Sequence, residues 1–191
     1  MKQVIIAGAG ALGSHVALFL RNHAQLKVVD MDRVEQKNTL SQFHSTMSVG
    51  KNKANALKDV LKFLYGTKVE AVPHQIRDDN VMNIMDKADL YIDCLDNSPA
   101  RLLVQGVATF RNIPCLHGGL AADGGFGRIL WDEEFISDEG AAGAATCEDG
   151  EHLPFIAGVA TLMARTAQEY LKSGKKMGFS VFPSGDAKRL I

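Results

Sequence analysis

Val4-Ile5-Ile6-Ala7-Gly8-Ala9-Gly10-Ala11-Leu12-Gly13 decides the fold. An apolar strand from Val4 to Ala7 runs straight into Gly8-x-Gly10-x-x-Gly13, and an apolar run from Val16 to Leu20 follows. Strand, tight turn and helix in that order give G-x-G-x-x-G its meaning as a phosphate-binding signature. Gly8 permits the turn, Gly10 lets backbone approach a phosphate, and Gly13 lets helix and strand pack closely. The start of the helix offers unpaired N–H groups and a positive dipole end to an anion. The motif predicts a bound nucleotide and leaves its kind open.

Strand and helix patterns alternate outward from this turn, as in a parallel sheet. Strands are expected at Gln3–Ala7, Lys27–Asp30, Lys68–Val72, Leu90–Cys94, Pro114–Leu116, Gly127–Trp131 and Phe179–Phe182. Ala54, Leu57, Val60, Leu61 and Leu64 mark one helical face; Leu103, Val107 and Phe110 mark another, with Pro99 suited to its first turn. The stretch 132–153 is acidic and then Gly/Ala-rich, and reads as a mobile crossover connection. Pro154 opens a helix whose apolar face carries Ile156, Val159, Met163, Ala167 and Tyr170, with Gly174 just beyond its end. The alternation therefore reads as α/β, with a mostly parallel sheet, in a single domain over 1–191.

Bulk properties narrow the partners. The 191 residues are 46% hydrophobic and 23% charged, with a formal net charge of -1. That balance gives no electrostatic case for nucleic acid or a membrane surface. No apolar stretch approaches the ~18 residues of a membrane span, and no signal-peptide layout precedes the first strand. Cys94, Cys115 and Cys147 are odd in number and widely spaced, which fits a reducing cytoplasm. Without a CxxC pair, no zinc is expected.

Asp30 closes the second strand, 22 residues after Gly8. A carboxylate there accepts hydrogen bonds from ribose hydroxyls, for NAD and ATP alike; its plainer role is a solvated turn residue. The segments beyond Asp30 favour ATP. Asp30-Met-Asp32-Arg-Val34 precedes Asn38-Thr-Leu-Ser41-Gln42 and Gly50-Lys-Asn-Lys53-Ala54. Further on stand Asp93-Cys-Leu95-Asp96-Asn97 and Arg101.

In order and spacing these motifs resemble the nucleotide site of the ThiF/MoeB family, within the ubiquitin-activating-enzyme superfamily, over roughly residues 1–172. The resemblance implies ATP- and Mg²⁺-dependent adenylation of the C-terminal carboxylate of a ubiquitin-like or sulfur-carrier protein ending in Gly-Gly. It also implies a doubly wound, Rossmann-like sheet with helices on both faces, and a dimer, homo- or heteromeric. Under it, the glycine turn (Gly8, Ala9, Gly10, Leu12 and Gly13) with Asp30 holds the adenosine and ribose, and Asp32 also binds the nucleotide. Lys53 neutralises the triphosphate, and Asp96 positions Mg²⁺. Asn38, Gln42, Leu95, Asn97 and Arg101 line the site. Lys53 and Asp96 suit the chemistry, because attack on the α-phosphate brings two anions together. Taken singly, Lys53 reads as a solvated helix lysine and Asp96 as a helix N-cap.

Two departures stand out. Ser41 occupies the place of a family arginine and makes no bidentate phosphate contact. Only Met1-Lys2-Gln3 precede the first strand, where the family has a helical segment carrying another arginine. The resemblance makes Cys147 a candidate nucleophile toward the acyl-adenylate, whereas Glu148, Asp149 and Glu151 raise a neighbouring thiol's pKa. Cys94 and Cys115 read as core residues. His117-Gly118-Gly119 sits where ligands bind in such sheets; His117 reads as structural or substrate-contacting, and the glycines as room for a carrier tail. His44 and His74 show no metal-ligand spacing. Two other functions fit the turn: a nucleotide-binding but catalytically weak partner subunit, favoured by Ser41, and an NAD-dependent oxidoreductase, for which no hydride-transfer set is visible.

Overall fold

A computed structural model of the chain describes residues 1–132, Phe135 and 150–191. The parallel part of its sheet holds β1 (Gln3–Ala7), β2 (Gln25–Val29), β3 (Val69–Val72), β4 (Leu90–Asp93) and β5 (Cys115–Leu120). β6 (Gly127–Trp131), β7 (Phe179–Val181) and β8 (Ala187–Arg189) extend it as an antiparallel meander. Spatial order is β3-β2-β1-β4-β5-β6-β7-β8. The chain steps outward from β1 to β3, then returns to lay β4 on the other side of β1. Order reverses between β1 and β4, the place where open α/β sheets bind ligands.

The parallel strands read as unbroken apolar runs because both faces are covered. Helices α1 (Ala11–Leu20), α2 (Lys53–Tyr65) and α5 (Leu153–Ser173) share one core with Val4, Ile6, Val28, Leu90, Ile92 and Leu116. α3 (Val81–Ile84) and α4 (Ser98–Arg111) cover the other face with Ile5, Ala7, Val29, Tyr91 and Cys115. This is the doubly wound arrangement. No helix of the described residues is long and apolar enough to cross a membrane.

Helix ends follow local chemistry. The Asn52 side chain caps α2 by accepting from the Asn55 N–H, and Asn97 caps α4 by accepting from Ala100. The cap of α4 is thus Asn97, one residue beyond Asp96. Pro154 lies in the first turn of α5 and Gly174 ends it in the left-handed conformation.

Pairing across strands moves several boundaries. β2 begins at Gln25 rather than Lys27, because Gln25 pairs with Gln3. β5 runs on through His117, Gly118 and Gly119 to Leu120, since β6 pairs with it as far as Leu120–Gly127. Gly118 is therefore a packing residue: a Cβ there would lie 2.3 Å from the Met163 side chain on α5. Cys94 follows β4 and is half-buried rather than part of the strand core. Asp132, expected to open a mobile connection, is tied back to β5 by hydrogen bonds to Cys115 and His117. Most of the expected connection, Cys147 included, lies outside the described residues.

Candidate functional site

The glycine turn joins β1 to α1 at the order reversal, and its three glycines have different reasons. Gly8 adopts φ +96°, and a Cβ there would come within 2.7 Å of the Cys94 carbonyl oxygen at the end of β4. A Cβ on Gly13 would lie 1.9 Å from the Gly8 carbonyl oxygen, so the turn and α1 touch backbone to backbone. Gly10 is different. It caps α1 at φ -82°, and a Cβ would meet nothing within 4 Å. None of the described residues requires Gly10 to lack a side chain; among them the bare backbone faces open space, a cradle for an approaching ligand.

Two side chains pin Ala9, the residue between the first two glycines. Its N–H donates to Asp30 Oδ2 (2.6 Å), and its carbonyl accepts from His44 Nε2 (2.8 Å). The second Asp30 oxygen accepts from the Asp32 N–H at 2.8 Å. Burial raises the Asp30 pKa, against the pull of the Ala9 N–H and of Lys53. Each Asp30 oxygen keeps a further lone pair for a ribose hydroxyl. Burial pushes the His44 pKa down to about 4, with Lys53 and His15 adding repulsion. The ring is therefore neutral with its proton on Nε2, and Nδ1 is a bare acceptor. That Nδ1 and Gln42 Oε1 are buried without a hydrogen-bond partner among the described residues. Both acceptors are closed off from solvent, so a donor from outside reaches them only when these side chains turn.

The segments after β2 and before α2 are stitched together. Asn52 Nδ2 donates to the Asp30 and Asp32 carbonyls (2.8 and 3.1 Å), and Arg33 donates to the Gly50 carbonyl (2.7 Å). This brings Lys53, buried at the first position of α2, to 3.1 Å from Asp32 Oδ2. A cleft of about 420 Å³ alongside is lined by Met31, Arg33, Lys51, Asn52, Asn55 and Pro73. A larger groove of about 600 Å³, lined by Lys2, His23, Arg165 and Lys172 among others, lies at the opposite end of the sheet and holds none of the expected site residues. Asn38 is buried, its Oδ1 accepting from the Glu35 N–H (2.8 Å) within the 3₁₀ turn Gln36–Leu40. Ser41 closes that turn and is buried.

Beyond β4, Leu95 is half-buried while Asp96 and Asn97 are exposed; Asn97 spends its side-chain oxygen on the α4 cap. Asp96 is the residue after Leu95, whose backbone nitrogen would lie 3.3 Å from a Cβ on Gly8. Arg101 faces inward. Its Nε donates to Asp93 Oδ2 (2.7 Å) and a terminal nitrogen donates to the Gly118 carbonyl (2.9 Å). Asp93 is fully buried, and the same oxygen meets His117 Nδ1 at 2.8 Å; His117 Nε2 meets Asp132 Oδ1 at 2.7 Å. Burial alone would lower the His117 pKa, but Asp132 and Asp93 outweigh it and hold it above the ordinary value. Burial alone would raise the Asp93 pKa, but His117 and Arg101 hold it below the carboxylate range. Phe135 stacks on His117 at 4.0 Å between ring centres, and the Arg101 guanidinium lies 4.7 Å over its ring.

The fold therefore brings the glycine turn, Asp30, Asp32 and Lys53 together, with Leu95 and Asp96 bordering the turn. It places Arg101 in a buried charge network beside them. Leu12 is a buried core contact. Sequence reasoning missed His44 as the anchor of Ala9, Asn52 as the stitch to Asp30, and Asp93 and Asp132 as partners of His117. Asp93 carried a signal, an acid closing the apolar run Leu90–Ile92. The others depend on contacts across the fold that no spacing announces.

The ThiF family profile matches residues 1–176. The adenylyltransferase and sulfurtransferase UBA4 of Meyerozyma guilliermondii is 31% identical over 174 residues, covering 85% of this chain and 41% of that protein. The sulfur carrier protein adenylyltransferase of Thermus thermophilus is 35% identical over 121 residues, covering 61% of this chain and 45% of that protein. The crystal structure of E. coli MccB with ATP superposes with a TM-score of 0.77 at 18% identity, covering 99% of this chain and 62% of that one. The chain thus spans less than half the length of these two curated relatives. By the profile over most of its length, and by the sheet order and glycine turn that carry the family's nucleotide motifs, the chain belongs to the ThiF family.

Proposed function

We propose that this chain uses ATP and Mg²⁺ to adenylate the C-terminal carboxylate of a small ubiquitin-fold carrier protein ending in Gly-Gly, in the cytoplasm and as a homo- or heterodimer. The observation that carries the reading is the open cradle at Gly10, set beside Asp30 and Lys53 at the order reversal of the sheet. Relatives named as adenylyltransferases support the activity, and one named for a sulfur carrier supports the class of partner.

In the reaction the carrier carboxylate forms a bond to the α-phosphorus, and the bond to pyrophosphate breaks. The protein's task is charge neutralisation and alignment. The turn from Gly8 to Gly13, with Ala9, would hold phosphates at the start of α1, and Asp30 would hold the ribose. Lys53 would set its ammonium against the phosphates; its present partner Asp32 is half-exposed and rehydrates readily. Asp96 would hold Mg²⁺, since one exposed carboxylate suits a cation that keeps most of its waters. When bound, that ion neutralises phosphate charge. Asn38, Gln42, Leu95, Asn97 and Arg101 would complete the walls.

Pyrophosphate exchange with a Gly-Gly carrier tests this. Exchange should fall roughly 100-fold or more in Asp96→Ala. Absence of exchange in the wild type, or undiminished exchange in the variant, sinks the reading. A second reading, a subunit that binds ATP but turns it over weakly, is favoured by buried Ser41 in the arginine's place and by Arg33 and Arg101 donating to their own chain. It expects ATP binding without exchange until a second protein is added; robust exchange by the chain alone counts against it. Side-by-side titration with ATP and NAD separates both from a nicotinamide-dependent oxidoreductase.

A further inference from the structure

We propose that Cys115, His117 and Asp132 form a binding site for one divalent cation of the zinc type, separate from the nucleotide site and independent of how that site is read. The pairing of β5 with β6 builds it. Asp132 follows β6 directly opposite Cys115: Asp132 Oδ2 accepts from the Cys115 N–H (3.0 Å), and the Asp132 N–H donates to the Cys115 carbonyl (3.2 Å). Alternation along β5 puts His117 on the same face as Cys115. One donor atom from each of the three residues lies within 4.8 Å of the others, and modest side-chain adjustment closes them around one ion at ligand distances of about 2.0–2.3 Å.

The donor set selects the ion. A sulfur, an imidazole nitrogen and a carboxylate oxygen suit zinc, whereas Mg²⁺ and Ca²⁺ take oxygen alone. Three protein donors leave a fourth position for water. The surroundings supply what a ligating histidine needs, a carboxylate on its other nitrogen that fixes the ring: His117 Nδ1 meets Asp93 Oδ2 at 2.8 Å, and Arg101 holds Asp93 at 2.7 Å. Cys115 and His117 are buried, and Phe135 covers the imidazole.

Charge favours the exchange. Without metal, the carboxylates of Asp93 and Asp132 are balanced by the His117 imidazolium and the Arg101 guanidinium, beside a neutral thiol. With metal, the imidazolium and the thiol each give up a proton, and the dication balances the two carboxylates and the thiolate together with Arg101. The sum is zero in both states, so binding strands no buried charge. The ion would bond β5 to β6 where the antiparallel meander joins the parallel sheet.

The test uses the full chain after chelator treatment. Zn²⁺ is titrated against a chromophoric competitor near pH 7 in weak buffer with a pH indicator, and Co²⁺ is titrated in parallel. The expected result is saturable one-to-one binding, release of one proton each from thiol and imidazolium, a thiolate-to-cobalt charge-transfer band, and a higher melting temperature with Zn²⁺. Cys115→Ser should lose the band and weaken Zn²⁺ binding about tenfold or more, with an unchanged circular dichroism spectrum without metal. Should that variant fail to fold, Asp132→Asn should keep the cobalt–thiolate band and weaken Zn²⁺ binding about tenfold or more, and undiminished binding there overturns the proposal. Absence of stoichiometric binding, absence of the cobalt–thiolate band, or binding undiminished in Cys115→Ser, which would point to Cys94 or Cys147, overturns the proposal. None of these readouts depends on adenylation.

Discussion

Alanine at Gly10 and alanine at Gly13 should have opposite consequences, although the two positions belong to one turn. At Gly13 the added methyl would sit 1.9 Å from the Gly8 carbonyl oxygen, well inside any real contact, and the obstacle is backbone. Relief requires α1 to move away from β1 by more than an ångström. Overpacking of this kind costs about 3 kcal/mol or more, at the upper end of the usual range, equivalent to roughly 6–12 °C of melting temperature for a chain of this size. At Gly10 the φ of -82° lies outside the left-handed range that favours glycine, and the methyl meets none of the described residues within 4 Å. Loss of a helix cap is offset by reduced freedom of the unfolded chain, so the net change stays within about 1 kcal/mol. If the open space at Gly10 is where phosphate oxygens approach, the methyl lowers ATP affinity about tenfold or more, equal to about 1.4 kcal/mol. Thermal melts of both variants with and without ATP and Mg²⁺ read both effects. Gly10→Ala should melt like the wild type alone and lose most of the ATP-induced shift; Gly13→Ala should melt low throughout. A Gly10→Ala chain that is stabilised by ATP as fully as the wild type, or a Gly13→Ala chain that melts within a degree or two of it, refutes the reasoning.

His44 imposes an acid sensitivity. Folded, it stays neutral down to about pH 4, whereas in the unfolded chain it protonates near 6.5. The unfolded state therefore takes up the extra proton between those values, so stability is full above about pH 6.5 and falls as pH drops toward 4, by about 3 kcal/mol across the window. His44→Phe should flatten that part of the pH–stability curve measured by urea unfolding; an unchanged slope contradicts the neutral assignment. Two cations, Lys27 buried and Arg101 partly buried, should differ sharply in what their removal costs. Lys27 reaches Asp86 (3.0 Å) and Glu70 (3.3 Å), both well exposed, so in Lys27→Met the carboxylates rehydrate and the loss stays within about 1 kcal/mol. Arg101→Met leaves the fully buried Asp93 with the His117 ring and the Leu95 N–H but no guanidinium, and should cost about 3 kcal/mol or more. Equal losses by chemical denaturation would refute the distinction.

The parallel half of the fold and the nucleotide side of the site were legible because their signals are local. Strand, turn and helix stand within twenty residues around Gly8, and Asp30 and Lys53 fall at element ends, where composition speaks directly. What was not legible depends on registers set at long range. Nothing in the acidic stretch after Trp131 distinguishes Asp132 from its neighbours; only the β5–β6 register sets it against Cys115 and His117. Gly118 reads like room for a ligand until α5 is seen to lay Met163 against it. The three-residue β8 has no alternation to detect and exists because Arg189 finds Phe179 as its partner. His44 shows the same limit: its role is a single hydrogen bond to a carbonyl 35 residues away.

The placement of β4 beside β1 also bears on when the chain acquires its ligand during synthesis. The glycine turn is synthesised well before β4, yet its floor is the Cys94 carbonyl, and Ala7 pairs with Asp93 as well as with Val29. At about 5–20 residues per second, roughly 4–17 seconds separate these halves. For that interval the nascent chain carries a recognisable nucleotide motif that has no pocket. If the turn holds ATP as proposed, the nucleotide stabilises the chain only once β4 is in place, as a selector of finished domains rather than as a template for their folding.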